Sequence, residues 1–266
     1  MAELNLSNFI IDRILSGVGY ATDGSVYFKM DQCQDTSITC GSEATEIVDN
    51  VGAPVMTLYR AKTCEISGQN AILDMNLTAF QMGTTKTVAT DSAKIVAPAA
   101  EVFTVDGTTH KLAQTPVTAP AFIYALNDDS SLGEKYTLST SAASATEFMC
   151  GEDGTITLPT GVVNGTEMFA SYEYEATSGI EIVNSAKNFP KSCKLVLKAL
   201  GYNPCEKDNK LACYVIFPSF EMSPDFDLSL QAGETQAWSG KASQDYCSKD
   251  KRLMSIVVVD EDDEMF

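Results

Sequence analysis

Short runs of strand-forming residues, broken by turn signals, fill most of the chain, and one window alone carries a helical period. Residues 25–30 and 55–60 combine Val, Tyr, Phe, Met and Leu in the proportions of half-buried strands. Between them, residues 31–51 are polar and turn-rich, which predicts an extended loop. Residues 9–15 hold an apolar cluster that reads as a helical turn or an arm, ended by Gly17 and Gly19. The helical window spans 69–82: Ile72, Leu73, Leu77 and Phe80 fall near helical spacing, Ser67 can cap the start and Gly83 can close the end. One amphipathic helix among strands is expected to pack across a sheet or barrel.

From about residue 98 the pattern changes. Strand-like runs at 101–105, 121–126, 147–150, 154–158 and 167–174 alternate with turn signals at Asp106-Gly107, Asn127-Asp128-Asp129, Asp153-Gly154 and Asn164-Gly165. Short strands at this spacing predict a small inserted β-sandwich over 98–182. After it come apolar strands at 193–200 and 211–217, joined by a polar loop around Asn203-Pro204. Residues 225–230 alternate strictly, with Phe226, Leu228 and Leu230 on one side and Asp225, Asp227 and Ser229 on the other. A turn at 231–234 and a returning strand within 235–245 follow. The near-continuous apolar run 253–259 reads as the centre of a sheet, and residues 260–264 as a solvated acidic run. The expected fold class is therefore mainly β: a discontinuous β core over 1–97 and 183–266, with one flanking helix and the inserted sandwich between.

With 266 residues the chain is long enough to bury a core without crosslinks. Composition then narrows the function. Eighteen Lys and Arg stand against 36 Asp and Glu, a formal charge of −18, which disfavours gripping nucleic acid or docking on an anionic membrane. Glu3 stands where a secretory signal would carry lysines and no long apolar run follows, so a cytosol-like compartment is expected. The eight cysteines show no C-x-x-C spacing and are expected to be reduced and mostly buried.

Candidate chemistry is sparse. The single histidine, His110, lies beside Thr108 and Thr109 in an expected hairpin; a Ser-His-Asp relay could use no other, but a surface or half-buried histidine is the simpler reading. Paired acids such as Asp225/Asp227, Asp128/Asp129 and Glu173/Glu175 could serve glycoside hydrolysis, but alternate strand residues facing water explain them more simply. Asp128, Asp129 and Ser130 could offer oxygens to calcium, without the twelve-residue loop of an EF-hand. Trp238 reads as a core or interface anchor. No catalytic residue, cofactor or metal is expected, and the chain reads as a building block rather than an enzyme.

Two segments carry a family resemblance. Residues 61–73, with the helix after them, resemble the N-terminal half of bacteriophage tail tube proteins. Residues 217–231, with 236–242, are similar to the closing strands of that fold. The resemblance implies a tail-tube-like β-barrel or sandwich core, with an immunoglobulin-like sandwich between its halves. It further implies six copies closing into rings by sheet-to-sheet contacts, and rings stacking into a tube. The partners would be other copies and other tail proteins such as a terminator, sheath or baseplate. DNA would pass through without specific binding, in the tail of a virion made in the host cytoplasm, with no membrane anchor. An acidic bore would repel the duplex and let it slide, and the candidate lumen-facing acids are Glu221, Asp225, Asp227 and Glu234. As plain solvent-facing strand residues they would look the same. The alternatives are a capsid-forming or capsid-decorating protein and a carbohydrate-binding β-sandwich.

Overall fold

The computed structural model describes residues 8–229, 231–246 and 249–260, apart from the side chains of residues 206–209. The first seven residues, Leu230, Cys247 and the acidic run past Asp260 lie outside the described residues. The chain divides into two compact units, one of Met1–Lys86 with Ile182–Phe266 and one of Thr87–Glu181. Each has its own apolar core.

The first unit opens with β1 (Ile10–Tyr20), β2 (Val26–Met30), β3 (Cys33–Val48), β4 (Pro54–Asn70) and α1 (Met75–Gln81). The second holds β5 (Thr87–Val88), β6 (Ile95–Thr104), β7 (Thr109–Lys111), β8 (Phe122–Leu126), β9 (Leu132–Leu138), β10 (Glu147–Cys150), β11 (Thr155–Thr157), β12 (Glu167–Ala176) and β13 (Ile180–Glu181). The chain then returns to the first unit with β14 (Ser192–Asn203), β15 (Glu206–Met222), β16 (Gln236–Ala242) and β17 (Ser255–Asp260). The mainly-β class with one helix is thus as expected.

In the first unit seven antiparallel strands follow the order β2-β1-β14-β15-β16-β4-β3, and an eighth, β17, shares the far edge of β15 with β16. The sheet curls into a half-barrel that brings β1 and β3 near each other. Its concave core holds Phe28, Met30, Ile66, Leu195, Leu197, Phe217, Phe220 and Trp238. Helix α1 adds Leu77 and Phe80, and the Phe80 ring lies 5.0 Å from those of Tyr27 and Phe28. A buried polar clamp ties the helix to β16. Gln236 Nε2 donates to Thr78 Oγ1 at 2.9 Å and Gln81 Oε1 at 3.0 Å, while Gln81 Nε2 donates to the Ala237 carbonyl at 3.0 Å. With its partners in place, the clamp carries little of the cost of burying amides.

Several expectations are corrected. Residues 10–20 are a strand, and Gly17 and Gly19 lie inside it rather than ending it. A Cβ at Gly19 would stand 2.4 Å from the Phe28 ring and one at Gly17 would stand 2.6 Å from Met30, so these glycines make room for the core of β2. The helix starts at Met75, because β4 continues through Ser67 to Asn70 and Asp74 is the cap, its side chain accepting from the Leu77 N–H. Within residues 31–51, Cys33–Val48 form a long strand instead of a loop, and the polar segment after Asn203 is a tight hairpin in which Asn203 pairs with Glu206. Residues 225–229 are not a strand: the pairing of β15 with β16 ends at Met222↔Gly240, and the chain runs on as a mostly exposed loop. The run 253–259 is not central either: β17 pairs only with β15 among the described residues and leaves Ile256 and Val257 exposed.

In the second unit seven strands follow the order β6-β12-β8-β9-β10-β11-β7, with only β9–β10 parallel. They wrap a core of Phe103, Ile123, Phe148, Ile156, Met168 and Tyr172. A separate two-stranded pair joins β5 and β13.

Candidate functional site

The first unit presents two surfaces that its own core does not use. One is the ribbon of β3 and β4. These strands pair from Cys33↔Asn70 to Val48↔Pro54, but β16 accompanies β4 only as far as Glu65, paired with Lys241. Beyond that point the two strands have only each other. A bulge marks the departure: the register slips between Gly41 and Glu43, and Ala61 takes the left-handed conformation at φ +48°. The tip is well made. Asp49 Oδ1 accepts from the Val51 and Ala53 N–H groups at 2.9 Å each, and Gly52 supplies φ +84°.

Apolar side chains nevertheless cover both faces of this ribbon. Ile47 and Met56 sit opposite each other and are 46% and 56% exposed, while Val48, Val51, Val55 and Tyr59 are 52–82% exposed. An isolated two-stranded ribbon is marginal in water, and one with uncovered apolar groups on both faces is suited to burial against another surface. The outer edge of β3 is also unpaired among the described residues. It leaves a long row of backbone donors and acceptors open.

The second surface is the open face of the sheet. Across its strands runs one polar row, Thr39–Glu65–Lys241–Glu221–Ser192, each residue in register with the next. Lys241 Nζ lies 3.0 Å from Glu65 Oε1, and both side chains are exposed. The next row is built of hydroxyls, Ser37, Ser67 and Ser239. A shallow depression of about 360 Å³ is lined by Thr39, Glu65, Glu221 and Lys241. Another of about 320 Å³ gathers Asp35, Asp225 and Asp227 over Ser67 and Gln69.

Of the four candidate acids, Glu221 therefore lies in the polar row, and Asp225 and Asp227 border a depression from an exposed loop. Glu234 is exposed in the turn before β16. Sequence reasoning missed Asp35, Glu65 and Lys241, and of the ribbon it found the strand at 55–60 but not its partner β3. The usable signal for the ribbon was the pair of β-branched residues Ile47-Val48 running into Asp49 and Gly52.

His110 serves packing. Its ring stacks on Phe103 with centroids 3.8 Å apart, and its Nε2 lies 3.1 Å from Glu101 Oε1. Burial pushes the Glu101 carboxyl up, but hydrogen bonds from the Ala113 N–H, His110 and the Tyr172 hydroxyl outweigh it and hold its pKa below the ordinary value. Among the described residues no three His, Cys, Asp or Glu side chains gather as metal ligands. Asp128, Asp129 and Ser130 form a turn in which Asp129 accepts from the Ser131 N–H at 3.0 Å. Trp238 is 2% exposed, an anchor of the core.

The uncovered apolar groups of the ribbon are suited to burial against another surface. The model of the YomU/Tube protein family matches residues 17–252. The chain belongs to that family. Comparison with curated proteins gives no match. The match starts inside β1 and ends before β17, so for this member of the YomU/Tube family it takes in the ribbon, the helix, the second unit and the polar row. The YomU/Tube family is phage tube-like, which bears out the expected resemblance to tail tube proteins and makes the chain a phage tube-like structural protein. No helix of the described residues is long and apolar enough to cross a membrane.

Proposed function

We propose that the chain is a tail tube subunit that assembles with identical copies into hexameric rings, and that the rings stack into the conduit for the genome. The observation that carries the reading is the ribbon of residues 43–60, with Ile47, Val51, Val55, Met56 and Tyr59 uncovered in the single chain. A neighbouring copy covers them in the ring. Head-to-tail contacts of this kind close when the rotation allows, and a stack of such rings grows as a filament. The unpaired edge of β3 and the exposed Ile256 and Val257 of β17 are further strips through which a sheet can continue from one subunit to the next.

The open sheet face then turns toward the bore. Glu221, Asp225, Asp227 and Glu234 line it, joined by Asp35 and Glu65, and they repel the phosphates of DNA at short range. DNA accordingly passes without specific binding. The second unit is an immunoglobulin-like addition, and the tube's other partners are tail proteins such as a terminator, sheath or baseplate. Negative-stain microscopy of the purified full-length protein tests the reading. Rings or tubes with a central bore are expected, whereas closed shells or small single particles at every concentration contradict it.

A further inference from the structure

We infer that Cys40 and Cys64 are a disulfide-forming pair that staples the base of the ribbon when the chain meets a small-molecule disulfide such as oxidised glutathione. The two residues are direct cross-strand partners on β3 and β4, and their sulfurs lie 2.9 Å apart. Direct antiparallel partners hold their Cα atoms about 4.5–5.5 Å apart, inside the 4.4–6.8 Å span that a disulfide bridges. Bond formation therefore needs a small approach of the two sulfurs and no change of register.

The surroundings suit the reaction. Cys40 is exposed and Cys64 is 2% exposed, so one thiol meets the reagent and the other waits behind it. Both border an open cleft of about 920 Å³ that is also lined by Lys62, Lys251 and Met254. The two ammonium groups favour an anionic disulfide reagent at the cleft, and Met254 Sδ accepts from the Cys64 thiol at 3.7 Å. Burial, with the neighbouring Cys40 thiol adding to it, pushes the Cys64 pKa up to about 12, so Cys40 reacts first.

In the first step the Cys40 thiolate attacks one sulfur of oxidised glutathione and expels one glutathione thiolate. In the second, Cys64 gives its proton to that thiolate, and the Cys64 sulfur attacks the Cys40 sulfur of the mixed disulfide and expels the second glutathione. Two protein thiols are oxidised, one glutathione disulfide is reduced to two thiols, and the Cys40 proton ends on the second of them.

The position gives the bond a use. Cys40–Cys64 is almost the last pair before the bulge at Ala61, where the ribbon leaves the sheet. Register is weakly specified in a ribbon with no buried face. A covalent link at its base fixes that register and encloses the whole ribbon in one loop. This inference stands independently of ring assembly, because it concerns a bond within one chain.

The test uses the full-length Cys33→Ser variant, so that the tryptic peptide 30–60 carries Cys40 alone and peptide 63–86 carries Cys64 alone. After treatment with oxidised glutathione and blocking of free thiols, non-reducing mass spectrometry is expected to find the two peptides linked and parted by reductant. The treated protein is also expected to melt higher than the reduced protein, a gain that a further Cys40→Ser change abolishes. Separately blocked thiols, a lasting glutathione adduct on Cys40, or linkage of Cys64 to another cysteine would overturn the inference.

Discussion

Replacing Ile47 and Met56 together by serine removes one cross-strand apolar pair from the ribbon and nothing from either core. The two side chains are 46% and 56% exposed, so about half of each remains to be covered on assembly. Fully burying a side chain of this size is worth about 1.5–3 kcal/mol, which leaves about 1 kcal/mol for each exposed half. Their joint loss weakens each subunit contact by about 2 kcal/mol, or about thirtyfold. The isolated subunit should lose no more than about 2 kcal/mol, because the covered half of each side chain lies within the ribbon and touches neither core. Sedimentation velocity over a concentration series reads the first quantity and thermal melting reads the second. The variant is expected to melt a few degrees lower than the parent at most while its assembly threshold rises about thirtyfold. An unchanged threshold with an unchanged melt would refute the role given to the ribbon.

Three other outcomes follow from the same structure. Gly240→Ala puts a Cβ 2.4 Å from the Glu221 carbonyl and from the Phe220 ring, so it should destabilise the first unit by about 3 kcal/mol in chemical denaturation. The carboxyl of Glu101 titrates below its ordinary 4.5 in the folded chain, so the stability it contributes is present above that pH and is lost as pH falls through the lower folded value. Glu101→Gln should thus lower the stability of the second unit by about 1–2 kcal/mol at neutral pH and flatten its decline between neutral and acid pH, followed by melting across pH. Changing Asp225 and Asp227 together to lysine should leave the subunit melt unchanged and make assembled particles retain duplex DNA at low salt and release it at high salt. Failure of those particles to capture DNA in a co-sedimentation assay would count against the bore-lining role of the loop.

Strands with a buried face were legible from the sequence. Residues 147–150 were expected as a strand and are β10, and the apolar runs at 193–200 and 211–217 fall within β14 and β15. In each, alternate residues meet a core, so hydrophobicity and structure share a period. In the ribbon, the strand at 55–60 was legible but β3 was not: its outer part faces solvent on both sides, so Ser42, Glu43, Thr45 and Glu46 are strand residues without an apolar stripe. Residues 225–229 mislead in the opposite sense. They alternate as a strand should, yet alternation alone makes no ladder: the pairing of β15 with β16 ends at Met222↔Gly240, and the residues that follow lie in a mostly exposed loop. Helix α1 was found in the correct window but with an early start, because local spacing does not reveal that Ser67 is claimed by β4. The polar row is a property of pairing between distant segments. Glu221 could be singled out as an acid on a strand, but its neighbours Lys241 and Glu65 are set by register alone.

A cryo-microscopy reconstruction of the assembled protein, resolved well enough to trace strands, tests the central claim most directly. The account predicts the tips of β3 and β4 lying against a neighbouring copy, with Ile47, Val51 and Met56 covered and Asp225 and Glu221 facing a hollow axis. Ribbons projecting into solvent, or an axis walled by lysines, would contradict it.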